Sequence, residues 1–538
     1  MKAMKILLTS FLCISITILP SCSENNVSPD RQTIYYSISA EPVTLDPQIA
    51  DDSSAKLIIM NLFEGLTRLD ENHQPVCGVA ESWQTNPQHT EYTFHLRENA
   101  CWNDGTPLTA QDFVYGFCRT FLPSTGSSTA QSLFCIKNAQ KIRNGQAAVS
   151  SLGVSADDSY TLTIQLEYFE PRFLELLASP PAMPCRQDFF ESTGGQYGLE
   201  SDKILSNGTF CISENGWEHG QYIHLDKNGY YHGSSSPVPQ NVSIAISEPP
   251  ENVCNAILGG NIDCYALDTS QLAQAQKQHF HLTAFSDTVW GIAFNTQDEI
   301  FRNADIRTVL LSAINRNIIA ENLPESCSPA ENIIPDTTRL NGMNYRTLVG
   351  GNMGIRFSDN AKTTFAEILS RYEEEEEPEF PVLNILCTDD DSTRSVVNSV
   401  IQAWNRLTGR FVNKTPVPRS ELENKIASGD YRIVIAPLML DGDSPADTLK
   451  LFTSDNVSNP ARLSDKQYDE MIAKILRSPE TDVTDEMVQA EKYLNTNGIF
   501  YPLYIEDRYY ASAPNVTGII FHPYGAEADF SLAHKTEK

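Results

Sequence analysis

The chain has 538 residues, 41% hydrophobic and 20% charged, a composition that excludes a disordered or fibrous protein and suits two to four globular domains. Its formal net charge of −30 excludes nucleic acid as a partner, since that contact needs clustered Lys and Arg. After the N-terminal segment, no apolar run reaches the length of about 18 residues that a membrane-spanning helix requires.

The chain opens with "MKAMKILLTSFLCISITILPSC", in which Lys2 and Lys5 precede an apolar stretch from Ile6 to Leu19. A positive n-region and a short h-region define a secretory signal. The "LPSC" that follows resembles the bacterial lipobox, which places a lipid on Cys22 and anchors the exported chain to a membrane. Removal of residues 1–21 takes away Lys2 and Lys5 and leaves −32. The polar residues up to 33 then form a tether.

Alternating apolar residues predict strands at "EYTFHLR" (91–97), "YTLTIQL" (160–166) and "NVSIAI" (241–246). In "WNDGTPLTAQDF", Asn103-Asp104-Gly105 predicts a turn. Thr109 and Asp112 then form a capping box at a helix start. The segment "FRNADIRTVLLSAINRNIIAEN" reads as one helix entered at Asn303. The run "EEEEE" at 373–377 is expected in a solvated loop or helix end. "YRIVIA" (431–436) is a continuous apolar run, as for a buried strand. Tyr468, Met471, Ile472, Ile475 and Leu476 give a helix over 464–477, with Ser464 and Gln467 as its capping box. A last helix runs from Thr484 to Leu494. The mixture predicts an α/β fold.

Ten cysteines remain once Cys13 and Cys22 are set aside, and none forms a C-x-x-C pair. An exported chain permits disulfides, and the spacing leaves their pairing open. The ten histidines are scattered without an HxxxH pair. There is no G-x-S-x-G, H-E-x-x-H or P-loop, so neither an enzyme nor a metal or cofactor site is expected.

One acidic cluster stands out: "LMLDGDSPADTL" holds Asp441, Asp443 and Asp447 after the apolar strand. A calcium loop beginning at Asp441 would need Gly at its sixth position and Glu at its twelfth, where Ala446 and Phe452 stand. The remaining readings are a capped turn and a site for a cationic group of an organic ligand.

Seven stretches in order carry a family resemblance: "EPVTLDPQ" (41–48), "NLFEGLTRLDENHQPVCGVAESW" (61–83), "YTFHLRENACWNDGTPLTAQDFVYGFCRT" (92–120), "ILSNGTF" (204–210), "AILGGNIDCYAL" (256–267), "FNTQDEIFRNADIRTVLLSAINRNII" (294–319) and "GDYRIVIAPLMLDGDSPADTL" (429–449). Together they resemble the peptide-binding proteins of bacterial ABC importers, within the extracellular solute-binding protein family 5. The resemblance implies a periplasmic-binding-protein-like type II fold: two α/β lobes joined by two hinge strands, plus an extra domain on the first lobe. The implied division is lobe one at 34–65, 186–285 and 505–538, the extra domain at 66–185, and lobe two at 286–504. It implies a monomer in the cell envelope, outside the cytoplasm, that closes over short peptides and delivers them to an ABC permease. Other cargoes on the same scaffold are a murein tripeptide, a nickel chelate or haem.

A buried peptide ammonium needs a carboxylate. By resemblance Asp441 supplies it, with Asp443 shaping the turn and Asp447 in the first turn of the next helix. Asp51 and Asp52 fall where relatives have polar cleft residues, to reinforce that site or to lie in a solvated loop. Tyr265 and Leu267 would offer backbone contacts at a strand end. Trp290, at an interlobe crossing, would close over ligand or serve as packing. Leu438 and Met439, ending the strand before Asp441, complete the ligand-binding set. Where some relatives carry an arginine and a tryptophan in that strand, this chain has Ile435 and Leu438. Pro437 between them has no N–H to offer a ligand strand. How the far end of a peptide is held is therefore left open.

Overall fold

The computed structural model describes residues 33–536 apart from 234–238, 325, 336–337, 341–342, 352–353, 376–379, 441–443, 479–481 and 523–527, with the side chains of 287, 373–375 and 391 also left undescribed. The signal, the lipid-site Cys22, Asp441 and Asp443 lie outside the described residues.

Two hydrophobic cores form. The first gathers buried side chains from Ile34 to Phe280 and again from Tyr510 to Ala533; the second gathers those from Val289 to Ile505. The first core carries two sheets. In one, Thr33–Ile38 runs parallel to Asn241–Ile246, and Tyr222–Lys227 and Phe210–Glu218 follow antiparallel. In the other, Ala80–Thr85, Glu91–Leu96, Thr161–Gln165 and Val154–Ala156 are antiparallel. Tyr92, Phe94, Leu96, Leu162 and Ile164 point into the core, following the period of two expected of them. Helix Ala110–Phe121 begins as its sequence dictates, the Thr109 N–H donating to Asp112 Oδ2 at 2.8 Å. The "SNG" turn at 206–208 is architectural. Asn207 bonds the backbone N–H and carbonyl of Glu64, and a Cβ on Gly208 would lie 2.8 Å from the Leu62 carbonyl.

The second core is built on the largest sheet, in the order Cys264–Leu267, Phe500–Ser512, His281–Phe294, Ile433–Met439, Asn384–Thr388 and Asn413–Val417. Its last three strands are parallel, and helices Asp391–Thr408 and Arg419–Ser428 make the crossovers between them.

Three helical details differ from the sequence reading. The segment after Asn303 forms two helices, Ala304–Ser312 and Arg316–Ala320, because Asn315 caps a second start through the N–H of Asn317. The helix Lys466–Leu476 is capped by Asp465, not Ser464: its carboxylate reaches the N–H groups of both Gln467 and Tyr468. The last helix extends to Thr496. Helix Ala361–Glu375 ends within the glutamate run.

Two strands cross from one core to the other. His281–Phe294 and Phe500–Ser512 pair antiparallel along their lengths, and the register slips between Trp290 and Gly291 and, nearer the first core, between Phe285 and Thr288. Leu282 and Phe285 pack on the first core, while Val289 and Ile292 belong to the second. The slip between Phe285 and Thr288 therefore sits where the cores meet. There the Ser286 hydroxyl donates to Asp507 Oδ1 at 2.6 Å. The His73 ring lies tilted against Phe285 with centroids 5.9 Å apart, and its Nδ1 is 3.1 Å from His522 Nδ1. Burial, reinforced by His522 and opposed by Asp70, pushes the His73 imidazole down to about 4. Burial also lowers His522, against the opposing pull of Asp529.

All ten cysteines of the described residues are free thiols. Burial raises Cys135 and Cys185 to about 12 and Cys387 to about 11.

Candidate ligand-binding site

The strand Ile433–Met439 pairs with Asn384–Thr388 only through Ile433 and Val434. Its carboxyl end continues past that partner, held on the other side by Thr288–Phe294. Ile435 and Leu438 are buried in the second core, whereas Met439 is 58% exposed at the strand's end. The chain then passes through residues 441–443 into helix Pro445–Leu449, whose N-cap Ser444 accepts from the Ala446 N–H.

That helix meets the first lobe. Asp447 Oδ1 accepts from Lys450 Nζ at 2.8 Å and from Arg172 of the first lobe at 3.1 Å. Its Oδ2 is buried and has no hydrogen-bond partner among the described residues. Arg172 also grips both carboxylate oxygens of Glu175, at 2.9 and 2.6 Å. Burial raises the Glu170 carboxyl, while the Arg172 N–H and the charges of Arg172 and Lys450 oppose the rise. A second crossing sets Arg477 of the second lobe 6.0 Å from the Tyr168 ring.

On the first lobe a cavity of about 720 Å³ reaches this boundary at Arg172. Lys56 and Met60 of helix Ser53–Leu62 form part of its wall, with Glu64, Arg68, Leu176 and Asp529. A cavity of that size suits a small organic ligand.

The expected site residues are dispersed. Asp51 is exposed and accepts from the Ser128 hydroxyl at 2.8 Å. Ser128 lines the cavity, so Asp51 stands at its edge. Asp52 is the helix N-cap: its oxygens accept from the N–H groups of Ala55 and Val43, at 2.7 and 3.2 Å. Tyr265 and Leu267 lie on the terminal strand of the large sheet, paired with Ala511 and Tyr509. The Tyr265 ring is 5.7 Å from Tyr36, and Leu267 is buried. Trp290 is only 2% exposed. Its Nε1 donates to Glu506 at 2.8 Å, and its ring stacks parallel to Tyr504. Leu438 and Met439 stand opposite Val289 and Thr288, at the crossing.

Sequence reasoning missed Arg172, Glu175, Lys56 and Arg68. "DDSSAKLIIMNL" held one usable signal, an N-capping Asp52 ahead of an apolar stripe, which turns Lys56 off the buried face that carries Ala55, Ile58, Ile59 and Leu62. Among the described residues no group of three or more His, Cys, Asp or Glu is arranged to hold a metal, and no helix is long and apolar enough to cross a membrane.

Two cores joined by a pair of continuous strands, with a cavity in the first lobe that reaches toward the second at Arg172, define a two-lobed ligand-binding protein. Residues 74–460 match the sequence profile of the bacterial extracellular solute-binding proteins, family 5 (middle). The chain belongs to that family and is a substrate-binding protein, not an enzyme. It is 26% identical over 524 residues to the oligopeptide-binding protein OppA of Bacillus subtilis, covering 94% of this chain and 93% of the relative. Over 502 residues it is 28% identical to the periplasmic murein peptide-binding protein MppA of Escherichia coli, with 91% of each covered. The solved unliganded open form of MppA matches with a TM-score of 0.74 at 25% identity, over 94% of this chain and 98% of that one.

Proposed function

We propose that the chain captures short peptides between its two lobes and delivers them to an ABC permease, held to the cell envelope by a lipid on Cys22. The observation that carries this reading is the position of the two described residues that flank Asp441–Asp443 in the chain. Leu440 follows the strand fixed to the crossing, and Ser444 caps the helix that touches the first lobe through Asp447 and Arg172. A peptide ammonium at the lobe boundary would be desolvated on closure and would need a carboxylate, the role this reading gives to Asp441. The likeness to OppA and MppA, both named for the peptides they bind, supports the ligand class. The bounds 34–65, 186–285 and 505–538 for lobe one, 66–185 for the extra domain and 286–504 for lobe two belong to this proposal. So do the monomeric state and the roles of Asp51, Asp52, Tyr265, Leu267, Trp290, Leu438 and Met439 around the ligand.

A murein tripeptide is the second reading, favoured by the 28% identity to MppA along nearly the whole chain.

Thermal shift with a panel of tri- to pentapeptides, a murein tripeptide included, tests both readings. A native-state ligand at about 100 times its Kd raises stability by about 2.7 kcal/mol. Binding should weaken at least tenfold (about 1.4 kcal/mol) on N-acetylation of the peptide or in Asp441→Asn. A panel without any rise in Tm rejects peptide capture. Equal binding of the acetylated peptide rejects the role of Asp441.

A further inference from the structure

The cavity wall of the first lobe carries charges of both signs, and their pairing is uneven. Each of its three carboxylates has protein partners. Glu64, 6% exposed, accepts from the Tyr231 hydroxyl at 2.6 Å and from His232 Nε2 at 2.5 Å, one on each oxygen. Glu175 is held through both oxygens by Arg172. Asp529 accepts from the Ser531 N–H at 2.7 Å and lies beside His522.

The cations differ. Arg172 is engaged with Glu175 and Asp447. Lys56 is half-buried on the cavity wall, and among the described residues its ammonium has no hydrogen-bond or carboxylate partner. Arg68 comes no closer than 4.0 Å to Glu64, whose oxygens are already occupied. In a chain of net charge −30, two under-paired cations on one concave wall form a local site for an anion. The opposing strand offers no such group: Ile435 is fully buried in the second core, and Pro437 has no N–H.

We infer that Lys56 and Arg68 form a carboxylate-binding subsite in the first-lobe cavity and hold the anionic end of the ligand. The subsite rests on the reading of the chain as a peptide receptor. Its ligand group is the C-terminal carboxylate of the peptide or an acidic side chain near that end. An arginine fork and a lysine point charge both complement a carboxylate, the first by geometry and the second by field. Lys56 rises from a helix capped by Asp52 and Arg68 from the strand Thr67–Leu69, so both stand on fixed backbone.

Isothermal titration of the full chain tests the subsite with three probes: a neutral tripeptide, its C-terminal amide, and that amide carrying a glutamate at the last position. The unmodified protein should bind the free acid about tenfold or more tighter than the amide. If the glutamate amide regains that affinity, the subsite accepts a side-chain carboxylate; if it binds like the plain amide, the subsite is reserved for the C-terminus. In Lys56→Met/Arg68→Met the acid should weaken about tenfold while the amide is unchanged, so the preference disappears. Lys56→Gln alone should lower the preference several-fold and serves if the double variant does not fold. A preference that survives both variants overturns the subsite, as does its absence in the unmodified protein. If none of the three probes binds, the peptide-receptor reading fails instead.

Discussion

The two lobes meet the ligand boundary with different materials. The first lobe presents a cavity wall whose carboxylates are already fixed by protein donors, and behind it the buried ion pair Arg119–Asp46 is closed at 2.6 Å. The second presents the end of an apolar strand and a short helix whose buried Asp447 is shared between Lys450 of its own lobe at 2.8 Å and Arg172 of the other at 3.1 Å. A charge buried inside one lobe has the same partner in every arrangement of the lobes, whereas one of the two cations on Asp447, Arg172, depends on how the lobes stand. The first lobe is thus organised before ligand arrives, and the second is organised partly by contact.

Substitutions within and between lobes separate these cases. Asp46→Ala leaves Arg119 buried against Phe190 without its carboxylate and should cost about 3–5 kcal/mol of stability in urea titration. An effect below about 1 kcal/mol would remove the contrast between the lobes. The histidine pair at the crossing gives an intermediate, pH-dependent effect. The unfolded chain protonates His73 near 6.5 and the folded chain only at about 4, so protons in that window favour the unfolded state. Stability should be full above pH 6.5 and fall as pH drops from 6.5 towards 4, and His73→Gln should flatten that slope. An unchanged slope assigns the acid sensitivity to other groups. Arg172→Gln, at a partly exposed cross-lobe pair, should have the smallest effect, about 1 kcal/mol or less, and it should shrink further at high salt. A large, salt-independent loss would mean that the lobes are locked together by this contact.

Much of this architecture was legible in the residues. Alternation in "EYTFHLR" and "YTLTIQL" located strands because one face of each is buried, and the Thr109–Asp112 box located a helix start because its chemistry is local. The break at Asn315 was not legible, since a capping asparagine inside an apolar periodic run looks like a helical surface residue. The site was harder to read for the same reason. Arg172, Asp447 and Lys56 acquire meaning from partners, or from the lack of them, across hundreds of residues of chain. Trp290 shows the converse: its place at the crossing was legible, while its bond to Glu506 and its stacking on Tyr504 needed the fold.

The register slip between Phe285 and Thr288 has a dynamic consequence. Of the two irregular rungs between the connecting strands, the other lying between Trp290 and Gly291 within the second core, this is the one where the cores meet, so bending of the molecule concentrates there. Amide hydrogens at that rung should exchange with solvent deuterium faster than those of Ile292–Phe294 or Leu282–Phe285, and ligand should slow them. The exchange rate at a few backbone positions near Ser286 and Asp507 then counts how often the lobes swing apart.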